Sequence, residues 1–185
     1  LGIYYLTHER PELTGPRISI DSADVLAAAL ERVDVELRDA KDPTKPVDTS
    51  DIKAAYKALT EGKVTAHRIP LFATIGEIEH ALEAGQIKLQ TKIKSLYHGV
   101  DSEGKPQTQK VLATAGRMLL AQILPKDQSV PFSLINKVLT KKEVQNLIDI
   151  VYRHCGQKTT VIFCDKLMTL GFGWAAKAGI SFGKD

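Results

Sequence analysis

The sequence predicts an α+β fold: a helical hairpin around a long buried C-terminal helix, with a small antiparallel sheet and an inserted, mostly helical segment. The long helix is predicted over residues 158–179, where apolar side chains point in nearly every direction and so require neighbours on all sides. The sheet is predicted from residues 87–93, which alternate apolar and polar side chains as a half-buried strand does. The mostly helical character is predicted from residues 8–71, where two helical patterns are separated by proline-containing turns.

The composition is that of an ordinary globular protein, with 185 residues of which 43% are hydrophobic and 25% are charged. No apolar run approaches the ~20 residues of a membrane-spanning helix, and the N-terminus lacks the basic start of a signal peptide. Because the chain begins without Met and inside an apolar run, we expect a piece of a longer polypeptide. The two cysteines form no CxxC pair, which favours reduced thiols and a cytoplasmic location.

The first third of the chain is predicted to contain one strand and two helices. Residues 1–7 have the β-branched and aromatic composition of a buried strand. The first helix has apolar side chains at helical spacing: Val25, Leu26, Ala29, Leu30, Val33 and Leu37. The second helix ends before Gly62. The predicted caps are Asp21 or Ser22 for the first helix, and Thr49 or Ser50 for the second.

A helix and a strand are predicted next. Thr74 and Glu77 have the spacing of a capping box, and the helix that they open ends at Gly85. The strand at 87–93 packs one face and presents the other, which carries Lys88, Gln90, Lys92 and Lys94. This polar face is either solvated, as lysines often protect a sheet edge, or it meets an anion.

The strand is followed by a hairpin return and by the C-terminal helices. A turn at 101–104 leads to a return strand at 109–113 and then to a helix at 115–124. A helical turn is predicted at 132–139, and a capping box at Thr140 opens the next helix, which Gly156 ends. The long helix then carries Gly171 and Gly173, which predict close approach by another backbone, and ends at Gly179, after which the last residues return to strand character.

The sequence lacks the familiar catalytic and phosphate-binding motifs, including GxGxxG, GxSxG and HExxH. Cys155 and Cys164 have no zinc-ligand spacing and are predicted to be buried thiols. Asp165 is the only acid on the long helix; it lies either on an exposed stripe with Lys158 and Lys166 or in a small polar pocket. The last 60 residues have nine basic and five acidic side chains. This excess of positive charge is compatible with binding a polyanion and also with an ordinary solvated surface.

Several long motifs resemble the largest-subunit family of bacterial RNA polymerase, the β′ subunit. They are TAGRMLLAQILP at 114–125, PFSLINKVLTKKEVQNLID at 131–149, VYRHCGQKTTVIFCDKLMTLGF at 151–172 and AGISFGKD at 178–185. LGIYYLT at 1–7 also matches, and residues 72–94 are similar to the alphaproteobacterial form. Residues 8–71 are longer than the loop that joins these flanks in most relatives.

The resemblance implies a pore domain formed by residues 1–7 and 72–185, interrupted by a lineage-specific insertion at 8–71. In the family this domain helps to wall the secondary channel, through which nucleotides enter and backtracked RNA leaves. The catalytic magnesium and the zinc of the complete subunit are held elsewhere, so no catalytic residue and no cofactor is expected here. The implied partners are the β, α and omega subunits, sigma factor, template DNA, RNA and nucleoside triphosphates, without a membrane. Lys88, Lys92, Lys94, Lys141 and Lys142 are candidates for steering an anionic substrate.

The resemblance also implies a binding site for the alarmone ppGpp where β′ meets omega. The matching positions are Lys158, Ile162, Asp165 and Thr169, which share one helical face. Lys158 would bind phosphate, Ile162 would pack on guanine and Asp165 would accept hydrogen bonds from the guanine edge. Relatives have Tyr at the position of Thr169. The alternative function is a separate interaction or nucleotide-binding domain without catalysis.

Overall fold

The computed structural model describes residues 2–177, and the side chains of residues 2–174. The helices are α1 (Gly2–Thr7), α2 (Ala23–Glu31), α3 (Ile52–Thr60), α4 (Ile75–Glu83), α5 (Ala115–Ala121) and α6 (Lys141–Lys177), with a 3₁₀ turn at Phe132–Leu134. The strands are β1 (Arg17–Ile18), β2 (Val35–Asp39), β3 (Val64–Arg68), β4 (Leu71–Phe72), β5 (Lys92–Val100) and β6 (Pro106–Thr114). This mixture confirms the α+β class. The helix end at Gly179 and the final strand lie outside the described residues.

The strands form two three-stranded sheets, ordered β1-β3-β2 and β4-β5-β6. The first sheet is antiparallel, with Leu37 of β2 opposite Ala66 of β3. In the second, β5 and β6 form the predicted hairpin, from Lys92 opposite Thr114 to Val100 opposite Pro106. The short strand β4 joins β5 in parallel. The predicted antiparallel hairpin is therefore confirmed, with one additional parallel strand at its side.

Two hydrophobic cores are buried in the described part of the chain, and they share no residue. The larger core joins α1, α4, α5, α6 and the second sheet, with Leu6, Ile93 and Phe163 among its fully buried side chains. The smaller core is made by α2, α3 and the first sheet: Leu26, Ala29, Val35, Leu37, Ala55 and Ala66. Residues 8–71 thus enclose a core of their own. We call the rest of the described chain the body.

The predicted strand at residues 1–7 is wrong, because Gly2–Thr7 is helical. Ile3 and Leu6 pack into the larger core. Helix α1 approaches α6 so closely that a Cβ on Gly2 would lie 2.2 Å from the carbonyl oxygen of Gly171. The backbone contact predicted at Gly171 is confirmed, whereas a Cβ on Gly173 would meet nothing within 4 Å. Packing against α6 therefore overrides the strand propensity of this segment.

Side-chain caps begin four helices where the sequence predicts them. Ser22, Thr74, Thr114 and Thr140 each accept a hydrogen bond from the backbone N–H three residues later, at 3.2–3.3 Å. Helix α3 is capped by Asp51, which accepts from the N–H of Ala54, and not by Thr49 or Ser50. These caps satisfy amide groups that the first helical turn leaves unpaired.

The predicted length of the first helix is wrong, and residues 8–71 contain a three-stranded sheet in addition to the two predicted helices. Helix α2 ends at Glu31, and two backbone bonds close it: Val33 N–H to the Leu30 carbonyl at 3.1 Å, and Asp34 N–H to the Ala29 carbonyl at 2.9 Å. This is the Schellman arrangement. Leu37 then lies on β2, and β3 and β1 complete a sheet beside the two helices.

The Schellman turn at Val33 predicts a stabilising substitution. Val33 has φ 57°, whereas the equivalent residues after α3 and α4 are Gly62 and Gly85, both with φ 74°. A left-handed conformation strains a residue with a Cβ by roughly 1–2 kcal/mol. We expect Val33→Gly to raise the free energy of unfolding by about 0.5–1 kcal/mol after the added unfolded-state entropy, measured by urea titration. Val25→Gly, at an exposed position inside α2, should instead lower the free energy of unfolding by about 0.5 kcal/mol. A decrease in both variants would contradict the backbone strain at Val33.

The predicted strand at 87–93 is displaced, because β5 begins at Lys92. Residues 88–91 form a turn instead, in which the Lys88 N–H donates to Thr91 Oγ1 at 2.9 Å and the Thr91 N–H donates to the Lys88 carbonyl at 3.1 Å. Ile87 and Leu89 are buried by this turn. The alternation in the sequence is real, but only its end belongs to the sheet.

Helix α6 changes direction at Gly156 and buries one face beyond it. Gly156 has φ 84° and ψ 174°, a conformation that is essentially restricted to glycine, and the predicted break is confirmed. Beyond it, Thr160, Phe163, Leu167 and Gly171 are buried. The predicted burial on all sides is wrong, since Val161, Ile162, Met168 and Phe172 are 47–66% exposed.

Candidate functional site

The outer face of α6 carries the four residues predicted for alarmone binding. Lys158, Ile162, Asp165 and Thr169 are all exposed, because they lie roughly opposite the buried side chains of Phe163 and Leu167. The hydroxyl of Thr169 donates to the Asp165 carbonyl one turn earlier, at 3.0 Å. The structure therefore brings the four positions together on one accessible helical surface.

Of the two descriptions of Asp165 that the sequence leaves open, the exposed stripe is confirmed, whereas the concavity beside it is lined mainly by apolar surface and is not the predicted polar pocket. The side chain of Asp165 is exposed, as are Lys158 and Lys166, which places it on a solvated stripe. It also borders a shallow concavity of about 410 Å³. The remaining lining residues are Ile123, Lys166, Thr169 and Leu170. The carboxylate is thus available to a ligand or to a neighbouring chain.

The exposed apolar side chains give α6 a surface suited to protein contact. Val161 is 52% exposed, Met168 66% and Phe172 64%. Large apolar side chains that cluster on a surface mark interaction sites more often than isolated ones do. We call the exposed set Val161, Ile162, Met168 and Phe172 the apolar face of α6.

Two of the candidate steering lysines are engaged within the chain. Lys94 is 7% exposed and its Nζ lies 2.5 Å from Asp34 Oδ1, while Lys92 Nζ lies 3.2 Å from Glu36 Oε2. Both carboxylates belong to residues 8–71. Lys88, Lys141 and Lys142 remain exposed, and Lys92 is still 40% exposed beside its ion pair, so among the five candidates only Lys94 is withdrawn from solvent.

Arg117 forms a third ion pair across the same boundary, and the sequence reasoning did not single it out. Its guanidinium is buried, donates twice to the Thr7 carbonyl at 3.0 and 3.2 Å, and lies 2.9 Å from Glu9 Oε1. The sequence could have indicated this ion pair, because Arg117 is a charged residue inside the apolar run 115–121, and a charged residue is buried only when it is paired. Arg117 therefore fixes the end of α1 to the start of α5.

A cleft of about 340 Å³, which we call the boundary cleft, lies where residues 8–71 meet the body. Its lining comes from both sides: Glu9, Arg10, Pro11, Leu13, Arg38, Gln90, Lys92, Leu112, Ala113, Thr114, Arg117 and Asn136. Behind it, Glu36 is 8% exposed and pairs through Oε2 with Arg38 at 2.6 Å as well as with Lys92. The sequence reasoning missed this cationic cleft, because its lining residues are far apart along the chain.

The described residues form no metal-binding cluster, and their two cysteines are unreactive. Within residues 2–177, no group of three or more His, Cys, Asp and Glu side chains is placed to hold a metal ion. Cys155 and Cys164 are free and half-buried. Burial, together with the negative charge of Asp127, raises the pKa of the Cys155 thiol, which makes it a poor nucleophile at neutral pH. No helix in this part of the chain is long and apolar enough to cross a membrane.

The Asp34–Lys94 pair predicts a pH-dependent loss of stability. Hydrogen bonds from Lys94 and Arg32 lower the pKa of Asp34 from 3.8 to about 2. Because the folded pKa lies below the unfolded one, the pair stabilises the fold above pH 4 and its contribution is lost as the pH falls through about 2. Asp34 is 41% exposed, so solvent screening reduces the carboxylate's share, but Lys94 is buried.

We therefore expect Asp34→Asn to lower the free energy of unfolding at pH 7 by about 1–2 kcal/mol. The difference from the unchanged chain should vanish towards pH 2, as followed by urea titration at several pH values. Asp149→Asn removes an exposed carboxylate on α6 and should change stability little at any pH. A pH-independent effect of Asp34→Asn would show that the ion pair is not its cause.

The family model described as RNA polymerase Rpb1, domain 3, matches residues 1–185. The match runs through both cores and includes α6, the boundary cleft and residues 8–71.

Proposed function

The chain belongs to the RNA polymerase Rpb1 domain 3 family, and from this premise we propose that it forms part of the secondary-channel wall in a bacterial β′ subunit of alphaproteobacterial type. As a domain of the largest subunit, it takes part in transcription, within a nucleotidyltransferase that contains further subunits and nucleic acids. The family match over the whole chain carries the proposal. Its partners there would be β, α, omega and sigma factor, with template DNA, RNA and nucleoside triphosphates.

Two kinds of exposed side chain on the structure support a role as a wall. The apolar face of α6 leaves large side chains exposed, which suits burial by neighbouring polymerase segments. The exposed Lys88, Lys141 and Lys142 would raise the local concentration of nucleoside triphosphates.

Co-purification tests the proposal. The polypeptide that carries these residues should be isolated together with β, α and omega, and Met168→Asp on the apolar face of α6 should reduce its incorporation at least tenfold. Gln107→Asp, an exposed substitution on β6, should incorporate normally. Isolation without any polymerase subunit would favour the alternative, a separate interaction or nucleotide-binding domain without catalysis.

We further propose that Lys158, Ile162, Asp165 and Thr169 bind ppGpp together with omega. The observation that favours this is their common exposure on one face of α6, beside the concavity at Asp165 and Thr169. Asp165→Asn should weaken ppGpp binding to the omega-containing complex about tenfold, whereas Asp149→Asn on the same helix should not. Equally tight binding by the isolated chain would contradict a site shared with omega.

We also propose that residues 8–71 are an insertion into a pore domain made by residues 1–7 and 72–185. The separate hydrophobic core supports this division, as does the net negative charge, with twelve acidic and ten basic side chains. The family match spans the segment as well. Deletion of residues 8–71 with a short linker should leave the body cooperatively folded, as judged by thermal unfolding. A molten product would show that the larger core needs the segment.

A further inference from the structure

We propose that the boundary cleft binds a small organic phosphate, with Arg10, Arg38 and Lys92 as its anion-binding side chains. The volume of about 340 Å³ lies within the range of small-molecule sites. The site is separate from the outer face of α6, since the two share no lining residue.

The charge of the cleft favours an anion. Four cationic side chains line it, and Glu9 is the one carboxylate among the lining residues. Glu36, buried behind the lining, neutralises part of this charge through a single oxygen that faces both Arg38 and Lys92. With Glu36 and Glu12, the partner of Arg10, also counted, the four cations still outnumber the carboxylates by one. A concave surface with one sign of charge and apolar walls concentrates ligands of the opposite sign.

The cleft also retains hydrogen-bonding capacity. Arg38 Nε is buried and has no partner among the described residues, and the same is true of Glu36 Oε1. The guanidinium fork matches the oxygens of a phosphate better than any other side chain does. Lys92 and Arg10 are 40% and 49% exposed and each makes one ion pair, so their ammonium and guanidinium groups have further N–H donors to offer.

The other wall of the cleft indicates what the phosphate carries. Pro11, Leu13, Leu112 and Ala113 supply apolar surface, and Gln90 and Asn136 supply amides. An inorganic anion would leave this wall unused, whereas a phosphate monoester with a small ring system would cover it. Adenosine monophosphate is a suitable probe, with pyrophosphate as the bare anion and adenosine as the neutral control.

Isothermal titration of the 185-residue chain tests the proposal. AMP should bind more tightly than pyrophosphate, because its ring covers the apolar wall, and adenosine should not bind. Tighter binding of pyrophosphate than of AMP would overturn the assignment to an organic phosphate. Arg10→Gln and Lys92→Gln should each weaken binding about tenfold, as expected for a lost charge-assisted hydrogen bond. Lys110→Gln, which removes an exposed charge outside the cleft, should leave the affinity unchanged.

Two further observations decide the result. Among the described residues, the ion pair of Arg10 is with the exposed Glu12, so Arg10→Gln should fold normally, and its circular dichroism spectrum would verify this. Side-chain amide resonances of Gln90 and Asn136 should shift on titration with AMP. The proposal is overturned if neither anion saturates the chain, if Lys110→Gln weakens binding as much as Arg10→Gln, or if the shifts occur away from the cleft.

Discussion

Replacement of Phe163 by Ala is expected to lower the free energy of unfolding by about 3–5 kcal/mol. Phe163 is 1% exposed and is the largest of the fully buried side chains. It lies on the one buried face of α6, where it joins the second part of this helix to the larger core. Removing the ring loses its apolar burial and leaves a cavity that backbone packing on several sides cannot close.

Urea titration of the unchanged and altered chains would measure this effect. Val161→Ala is the matched control, because Val161 lies two residues earlier on the same helix but is 52% exposed. Val161→Ala should lower the free energy of unfolding by less than about 1 kcal/mol. An effect below that value at Phe163 would place the ring outside the core and contradict the burial of α6.

The substitution Gly116→Ala is expected to destabilise the chain by about 3 kcal/mol. A Cβ at Gly116 would lie 1.9 Å from the carbonyl oxygen of Leu6, so α1 would have to move. That movement would break the two hydrogen bonds between the Arg117 guanidinium and the Thr7 carbonyl. The Gly116 N–H also donates to the Leu89 carbonyl at 2.8 Å, which prevents the helix from retreating on the other side.

The second helical residue of α4 provides the control. Gly76 has the same position in α4 that Gly116 has in α5, but a Cβ there would meet only Thr74 Oγ1 at 3.8 Å. Gly76→Ala should therefore raise the free energy of unfolding by about 0.5–1 kcal/mol. Thermal and urea unfolding should show a lower free energy of unfolding for Gly116→Ala and a higher one for Gly76→Ala. Equal changes in the two variants would mean that the contact between Gly116 and Leu6 is not tight.

Local signals predicted the helices well because their causes lie within a few residues. The hydroxyls of Thr74, Thr114 and Thr140 cap helices from adjacent positions, and Gly156 interrupts α6 through its own backbone angles. The candidate face on α6 was predictable for the same reason, since helical spacing alone places Lys158 and Asp165 on one side.

Distant contacts explain what the sequence did not predict. Residues 1–7 have the composition of a strand, but they are helical because they pack on α6. Strand β3 pairs with β2 and β1, which lie about 30 and 50 residues away along the chain. The boundary cleft brings Arg38, Lys92 and Arg117 together from three separate segments. The prediction that α6 is buried on all sides was wrong because apolar side chains all round a helix predict packing partners. They do not show whether those partners lie in the same chain.

The three ion pairs that join residues 8–71 to the body have a common polarity. Every cation, Lys92, Lys94 and Arg117, stands on the body, and every carboxylate, Glu36, Asp34 and Glu9, stands on the other side. Added salt acts on such a one-sided joint in a single direction, because it screens attractions and relieves no repulsion. Lys92 is the most exposed of the three cations, so concentrated salt should weaken its pair first, while the pairs of the buried Lys94 and Arg117 persist and keep the two cores joined.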